Sequence, residues 1–346
     1  MVKSQPPVRS WARFYARRHY CLVVFVPLLG CASTPPVRSG FATAADDERH
    51  VERRVPKHQA RPHAHPEAGR HAPQETSEKE PCRFVRIPIL EPSGVAYHPQ
   101  RKTLFLVSDK GQFVEMDLTF KVLRRYRLRG DLEGITVHPV TGSLFIAAEN
   151  VAIVYEYDLT AGRVLRTIRI DIRSHDDFAD GLIPNRGIEG IAIVETSDNE
   201  YQLFAVVESD PPRLISLSTD VSSETTAHAR ARVAENSSLD PIREEARVNA
   251  SYDLGLRRLS DVCDDPTSRA IIVISSKAHT AILFELELDR RAVRSRTIPG
   301  TRPEGLCILP DGTAILVQDT EPGGLWVCPD FLSQFERIAV PSIENE

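Results

Sequence analysis

The strongest constraint on this chain is a phrase that returns at a nearly fixed distance. A short run opening on a polar residue, Ser93-Gly94-Val95-Ala96, comes back as Glu133-Gly134-Ile135-Thr136, Glu189-Gly190-Ile191-Ala192, Ser260-Asp261-Val262-Cys263 and Glu304-Gly305-Leu306-Cys307. Each is followed by an apolar run with a polar end: LFLVSDK from Leu104, LFIAAEN from Leu144, LFAVVES from Leu203, IIVISSK from Ile271 and AILVQDT from Ala314. From Gly94 to Asp109, from Gly134 to Glu149 and from Asp261 to Ser276 the offset is 15; it is 14 from Gly305 to Asp319 and 18 from Gly190 to Glu208. Such self-similarity takes precedence over any single motif, because each unit buries its apolar face only against a neighbour.

Two more runs complete the units. A third alternates and closes acidic or polar (FVEMDL from Phe113, IVYEYDL from Ile153, RLISLS from Arg213, LFELEL from Leu283, LWVCPD from Leu325). A fourth is basic and amphipathic: VLRRYRL from Val122, VLRTIRI from Val164, RVNASYDL from Arg247 and AVRSRTI from Ala292. Turn signals such as HPVTG and LPDG separate the first two runs. Four short strands per unit with period-two alternation predict an all-β chain, a β-propeller of five blades over residues 82–346. The blade starts lie 40, 56, 71 and 44 residues apart, and the two long gaps hold polar insertions, the larger of which leaves room for a sixth blade as the alternative.

Phe84–Ile87 is left over to close the ring beside Leu325–Cys328. That antiparallel pairing puts Cys82 near Cys328, and in an exported chain the two form a disulfide. Cys263 and Cys307 occupy equivalent inner-strand positions and read as buried thiols.

The amino-terminal segment argues for export. Lys3, Arg9, Arg13, Arg17 and Arg18 precede the apolar run Cys21–Gly30, which is too short to span a bilayer core. The run ends in Leu28-Leu29-Gly30-Cys31, which resembles the bacterial lipobox and implies cleavage after residue 30 and a diacylglyceryl anchor on Cys31. Ala32 rather than Asp follows, which favours the outer membrane over the inner. Residues 31–81 are rich in Pro, Ala, Arg, His, Glu and Ser and read as a disordered tether. Its histidines, His50, His58, His63, His65 and His71, read as solvated. Cleavage removes five of 43 basic residues and none of the 48 acidic ones, leaving a net charge of −10, which argues against nucleic acid as a partner.

In a propeller the first strand of each blade lines the central channel. Glu133, Glu189 and Glu304, with Ser93 and Ser260 at the matching positions, therefore converge on one axis, and Asp109, Glu149, Glu208 and Asp319 form a wider acidic rim. Converging carboxylates share protons or hold a cation. An all-oxygen donor set suits calcium, with Glu133, Glu189, Glu304, Ser93 and Ser260 as ligands; hydrogen bonding to backbone amides and channel water is the alternative. No nucleophile elbow or Ser/His/Asp arrangement is evident. His98 and His138, each before a proline in a turn, read as scaffold.

The succession LEPSGVAYHPQRKTLFLVSDKGQFVEMDL, DLEGITVHPVTGSLFIAAE, GIEGIAI, LSDV and RPEGLCILPDG resembles the bacterial SdiA-regulated, or YjiK-like, family over residues 84–328. The resemblance implies an envelope-located propeller with a calcium site, to which Glu133, Glu189, Glu304 and Ser93 carry over; it implies no settled reaction. Asp261 stands where the family has glycine. The expected function is a lipid-anchored binding or scaffold module that meets a protein or small molecule at a propeller face. The alternative is a metal-dependent hydrolase of the lactonase or phosphoesterase kind.

Overall fold

The computed structural model describes residues 81–181, 187–197, 200–208, 210–235, 240–268, 270–285 and 292–337. The export signal, Cys31 and the tether up to residue 80 lie outside the described residues, and among the described ones no helix is long and apolar enough to cross a membrane.

Strand β1 (Arg83–Arg86) is followed by an antiparallel meander, β2 (Pro92–His98), β3 (Thr103–Ser108), β4 (Gln112–Met116) and β5 (Val122–Arg127). A second meander comprises β6 (Leu132–Val137), β7 (Leu144–Ala148), β8 (Ile153–Asp158) and β9 (Arg163–Asp171). The third is β10 (Ile188–Ser197), β11 (Glu200–Val207), β12 (Arg213–Leu217), the helix α1 (Ser223–Glu235) and β13 (Ile242–Tyr252). The fourth is β14 (Leu259–Asp264), β15 (Ala270–Ser275), β16 (Thr280–Glu285) and β17 (Ala292–Thr297). The last, β18 (Pro303–Ile308), β19 (Ala314–Gln318) and β20 (Gly324–Cys328), takes β1 as its fourth strand. A two-residue strand, β21 (Glu336–Arg337), caps the edge of β17.

Side-chain alternation explains how these sheets pack. On β3, Leu104 and Leu106 face the last meander, with Ile315, Val317 and Leu325, whereas Phe105 and Val107 face the second, with Leu144 and Ile146. Equivalent apolar clusters lie between the second and third, third and fourth, and fourth and fifth meanders. Strands such as β3, β7, β15 and β19 are therefore buried on both faces, and each fully buried Leu or Phe adds about 1.5–3 kcal/mol to the inter-sheet contact. The outermost β5 is largely exposed and carries the arginines that sequence patterning places there. The first strands pack around an axis in the order β2, β6, β10, β14, β18 and back to β2. This is the layout of a β-propeller.

Two features depart from the sequence expectation. The second and third meanders are not separate sheets: the first half of β13, from Ile242 to Arg247, pairs in parallel with β9 and joins them into one eight-stranded sheet. The larger insertion, read as an irregular polar segment or a further blade, instead holds α1, which buries Thr226, Ala229 and Val233 on one face. Its start is capped: the Ser222 hydroxyl accepts a 3.3 Å bond from the Thr225 amide.

Candidate functional site

The first strands share an irregularity that aims the site. Each shifts register at its polar residue, between Pro92 and Gly94, Leu132 and Ile135, Ile188 and Gly190, Leu259 and Asp261, and Pro303 and Gly305. A bulge at this place redirects one side chain and tightens the local twist. Ser93, Glu133, Glu189, Ser260 and Glu304 are thereby turned into one cavity of about 290 Å³ at the channel mouth.

The following residue closes the channel beneath. A Cβ on Gly134 would lie 2.8 Å from the Gly190 Cα, and one on Gly305 would lie 2.8 Å from the Gly94 Cα, so the inner strands approach backbone to backbone. Asp261 fills the one position of this ring that has a side chain. It is 2% exposed, it crosses to accept a 2.7 Å bond at Oδ2 from the Leu306 amide, and its Oδ1 has no hydrogen-bond partner. Burial holds its carboxyl well above the ordinary range.

All nine predicted metal-ligand and rim residues line this mouth: Ser93, Glu133, Glu189, Ser260 and Glu304 with Asp109, Glu149, Glu208 and Asp319. Pattern reading missed three more, Asp131, Arg258 and Arg302. A signal for them existed: each stands two residues before an inner polar residue, in Asp131-Leu-Glu133, Arg258-Leu-Ser260 and Arg302-Pro-Glu304. Their carbonyls accept the amides of the rim residues at 3.0–3.1 Å (Glu149 to Asp131, Ser276 to Arg258, Asp319 to Arg302), which fixes the two levels together.

Eight carboxylates and two guanidiniums therefore share one small cavity. Arg258 Nε donates to Glu208 Oε1 at 2.6 Å and Arg302 Nη2 lies 2.7 Å from Asp319 Oδ2, so the cations sit on one side. On the other side, carboxylate oxygens of Asp109, Asp131 and Glu133 come within 4.8 Å of one another. Burial and the charges of Asp109, Asp131 and Glu149 push Glu133 up to about 9. Burial, then Glu133, Glu149, Glu208 and Glu304, push Glu189 up to about 11. Glu304 rises only to about 7: burial raises it, while Arg302 and Arg258 pull it back. The Glu189 Oε1 atom is buried without a partner.

The two serines differ from free ligands in that both hydroxyls are engaged. Ser93 donates to Asp109 Oδ1, and Ser260 donates to the Pro303 carbonyl at 2.9 Å. Among the described residues no histidine lines the mouth. His98, at the end of β2, contacts the Gly142 carbonyl at 3.1 Å, and His138, just after β6, the Val221 carbonyl at 2.7 Å; both are buried. The opposite end of the channel is a second cavity of about 300 Å³, lined mainly by apolar residues with Cys263 and Cys307 in its wall. Cys82 and Cys328 are disulfide-bonded where β1 meets β20.

The model of the SdiA-regulated family matches residues 88–316, and the chain belongs to that family. No curated protein matches the chain. Among solved structures, the β-propeller domain of Cps50 (Swd1) from Myceliophteria thermophila is 14% identical, with a TM-score of 0.37, and the match covers 68% of this chain and 64% of that one. A protein of unknown function from Bacteroides caccae is 13% identical with a TM-score of 0.41, covering 65% of this chain and 69% of that one.

Proposed function

From membership of the SdiA-regulated family, we propose that this chain is a five-bladed propeller whose acidic channel mouth binds a divalent cation, calcium by its donor set. The protein acts as a binding module held at the envelope by a lipid on Cys31. Five meanders with first strands packed in a closed cycle support the blade count. The lipobox-like Leu28-Leu29-Gly30-Cys31 supports the anchor, and Ala32 supports the outer membrane as its destination.

One observation carries the cation reading: eight carboxylates against two guanidiniums in about 290 Å³, with Glu189 Oε1 buried and unpartnered. Oxygen donors alone, at flexible geometry, are what calcium takes. Asp109, Asp131 and Glu133 would hold the ion on the acid side, with Glu189 next to them. When bound, the ion supplies the positive charge that lets these carboxyls ionise together. In the hydrolase alternative the ion would polarise a carbonyl or phosphoryl oxygen and activate water, with a rim carboxylate such as Asp109 or Asp319 as base.

Calorimetry of calcium binding on the mature chain tests this reading beside Glu189→Ala and Glu133→Gln. The expected result is one site in the wild type and at least tenfold weaker binding in both variants. A correctly folded wild type that takes up no calcium would refute it.

A further inference from the structure

The level two residues above the inner polar ring is sorted by charge. Going round the axis, the residues that lead into the first strands read Glu91, Asp131, Gly187, Arg258 and Arg302, so the two acids are neighbours, the two guanidiniums are neighbours, and closure of the ring brings Arg302 next to Glu91. The fourth meander, which carries Arg258, brings no carboxylate to the mouth: its inner residue is Ser260 and its rim residue Ser276. The mouth is thus an unevenly charged cup: its acid side, from the first three meanders, has six carboxylates, and the sector of the fourth and fifth has Arg258, Arg302, Ser260 and Ser276 with two carboxylates, Glu304 and Asp319.

The arginines on that sector are placed rather than loosely draped. The Ser276 and Asp319 amides each bond the backbone carbonyl of their arginine at 3.1 Å, and Arg258 itself holds a left-handed backbone (φ 54°). Each guanidinium contacts a rim carboxylate, Glu208 or Asp319, while 61% of its side chain faces solvent. A guanidinium has five donors in a flat fork that matches the oxygens of a phosphate or carboxylate. The ion pairs of Arg258 and Arg302 are with Glu208 and Asp319, not with the closely grouped Asp109, Asp131 and Glu133.

We propose that the mouth takes an anion together with its cation: Arg258 and Arg302 grip the phosphate or carboxylate group of a small ligand whose bound divalent ion sits on the acid side. This rests on the cation reading above. The ligand class is therefore a small oxyanion that travels with a divalent metal.

The test is calorimetry on the mature full-length chain, with calcium, methyl phosphate and acetate as probes. Wild type loaded with calcium binds methyl phosphate or acetate at least tenfold more tightly than calcium-free wild type, and by reciprocity the anion tightens calcium binding by the same factor. The stronger of the two anions identifies the group. Arg258→Ala/Arg302→Ala loses at least tenfold in anion affinity while its calcium affinity without anion is unchanged or improved. Arg124→Ala, which removes an exposed cation on the outermost strand β5, leaves anion binding intact. Calcium binding with no anion response, or an anion response that survives loss of both arginines, overturns this proposal alone. Absence of calcium binding by folded wild type overturns the cation reading, and this proposal falls with it.

Discussion

A carboxylate beside a glycine is the residue-scale signature of this molecule, and the two halves of the pair do opposite work. The bulge aims Glu133, Glu189 and Glu304 into the mouth, while Gly94, Gly134, Gly190 and Gly305 let the inner strands touch beneath it. Gly134→Ala would force a Cβ to within 2.8 Å of backbone at Gly190 and Ile191. Backbone cannot swing aside as a side chain does, so a loss of about 3 kcal/mol is expected in urea denaturation. The carboxyls make a second prediction. Glu189, raised to about 11 from an ordinary 4.5, binds its proton more tightly folded than unfolded. Its contribution to the stability of the cation-free protein is present at low pH and is lost as pH climbs from 4.5 toward that folded value. Glu189→Gln is therefore little different from wild type in melting temperature near pH 5 and melts about 2–4 °C higher at pH 8 without calcium. A variant that melted lower than wild type at pH 8 would contradict the assignment.

At the scale of elements, the junction of the second and third meanders is held by a buried ion network rather than by strand pairing alone. Arg166 on β9 is fully buried, donates from Nε to Glu156 on β8, and reaches Glu244 on β13 and the Asp220 carbonyl from Nη1 at 3.1 and 2.8 Å. The Thr226 hydroxyl of α1 donates to the other Glu156 oxygen at 2.7 Å, and Arg230 of α1 pairs with Asp158. The inserted helix is thus held by Glu156 and the long β13 by Arg166, the two partners of one buried ion pair. Removing Arg166 leaves Glu156 buried with its charge uncompensated, so Arg166→Ala should cost about 3–5 kcal/mol. Thr226→Val, which deletes a single neutral donor, should cost about 1 kcal/mol by the same denaturant measurement. Equal costs for the two would mean that the helix, not the ion pair, carries the junction.

For the whole molecule the decisive contact is the one that closes the ring. β1 pairs with β20 from Arg83–Val327 to Arg86–Gly324, and the Cys82–Cys328 bond joins positions 246 residues apart at the same seam. Holding the first strand to the last suppresses the opening that would expose the apolar faces of the first and fifth meanders. Cys82→Ser/Cys328→Ser is expected to lose about 2–5 kcal/mol, with amide exchange rising first along β1 and β20. Uniform exchange throughout the domain would show that the seam is not where the ring opens.

The sequence by itself determined the strand inventory and the ring of acids. Period-two alternation and near-constant spacing state which residues share a face, and these are local properties of a pleated chain. Thus Glu133, Glu189 and Glu304, with Asp109 and Glu149, were legible as one group before any coordinates. Tertiary structure alone decided the rest. The bulges depend on pairing with the second strand, which shifts register by one residue without leaving a mark in composition. The parallel ladder of β9 with β13 depends on a neighbour distant in sequence, as does the burial of Arg166 between acids from β8 and β13. The polarity of the mouth is of the same kind: Arg258 and Arg302 read as ordinary charged residues until closure of the ring sets them across the cavity from Asp131, because a charge acquires its partners only when the chain has folded around it.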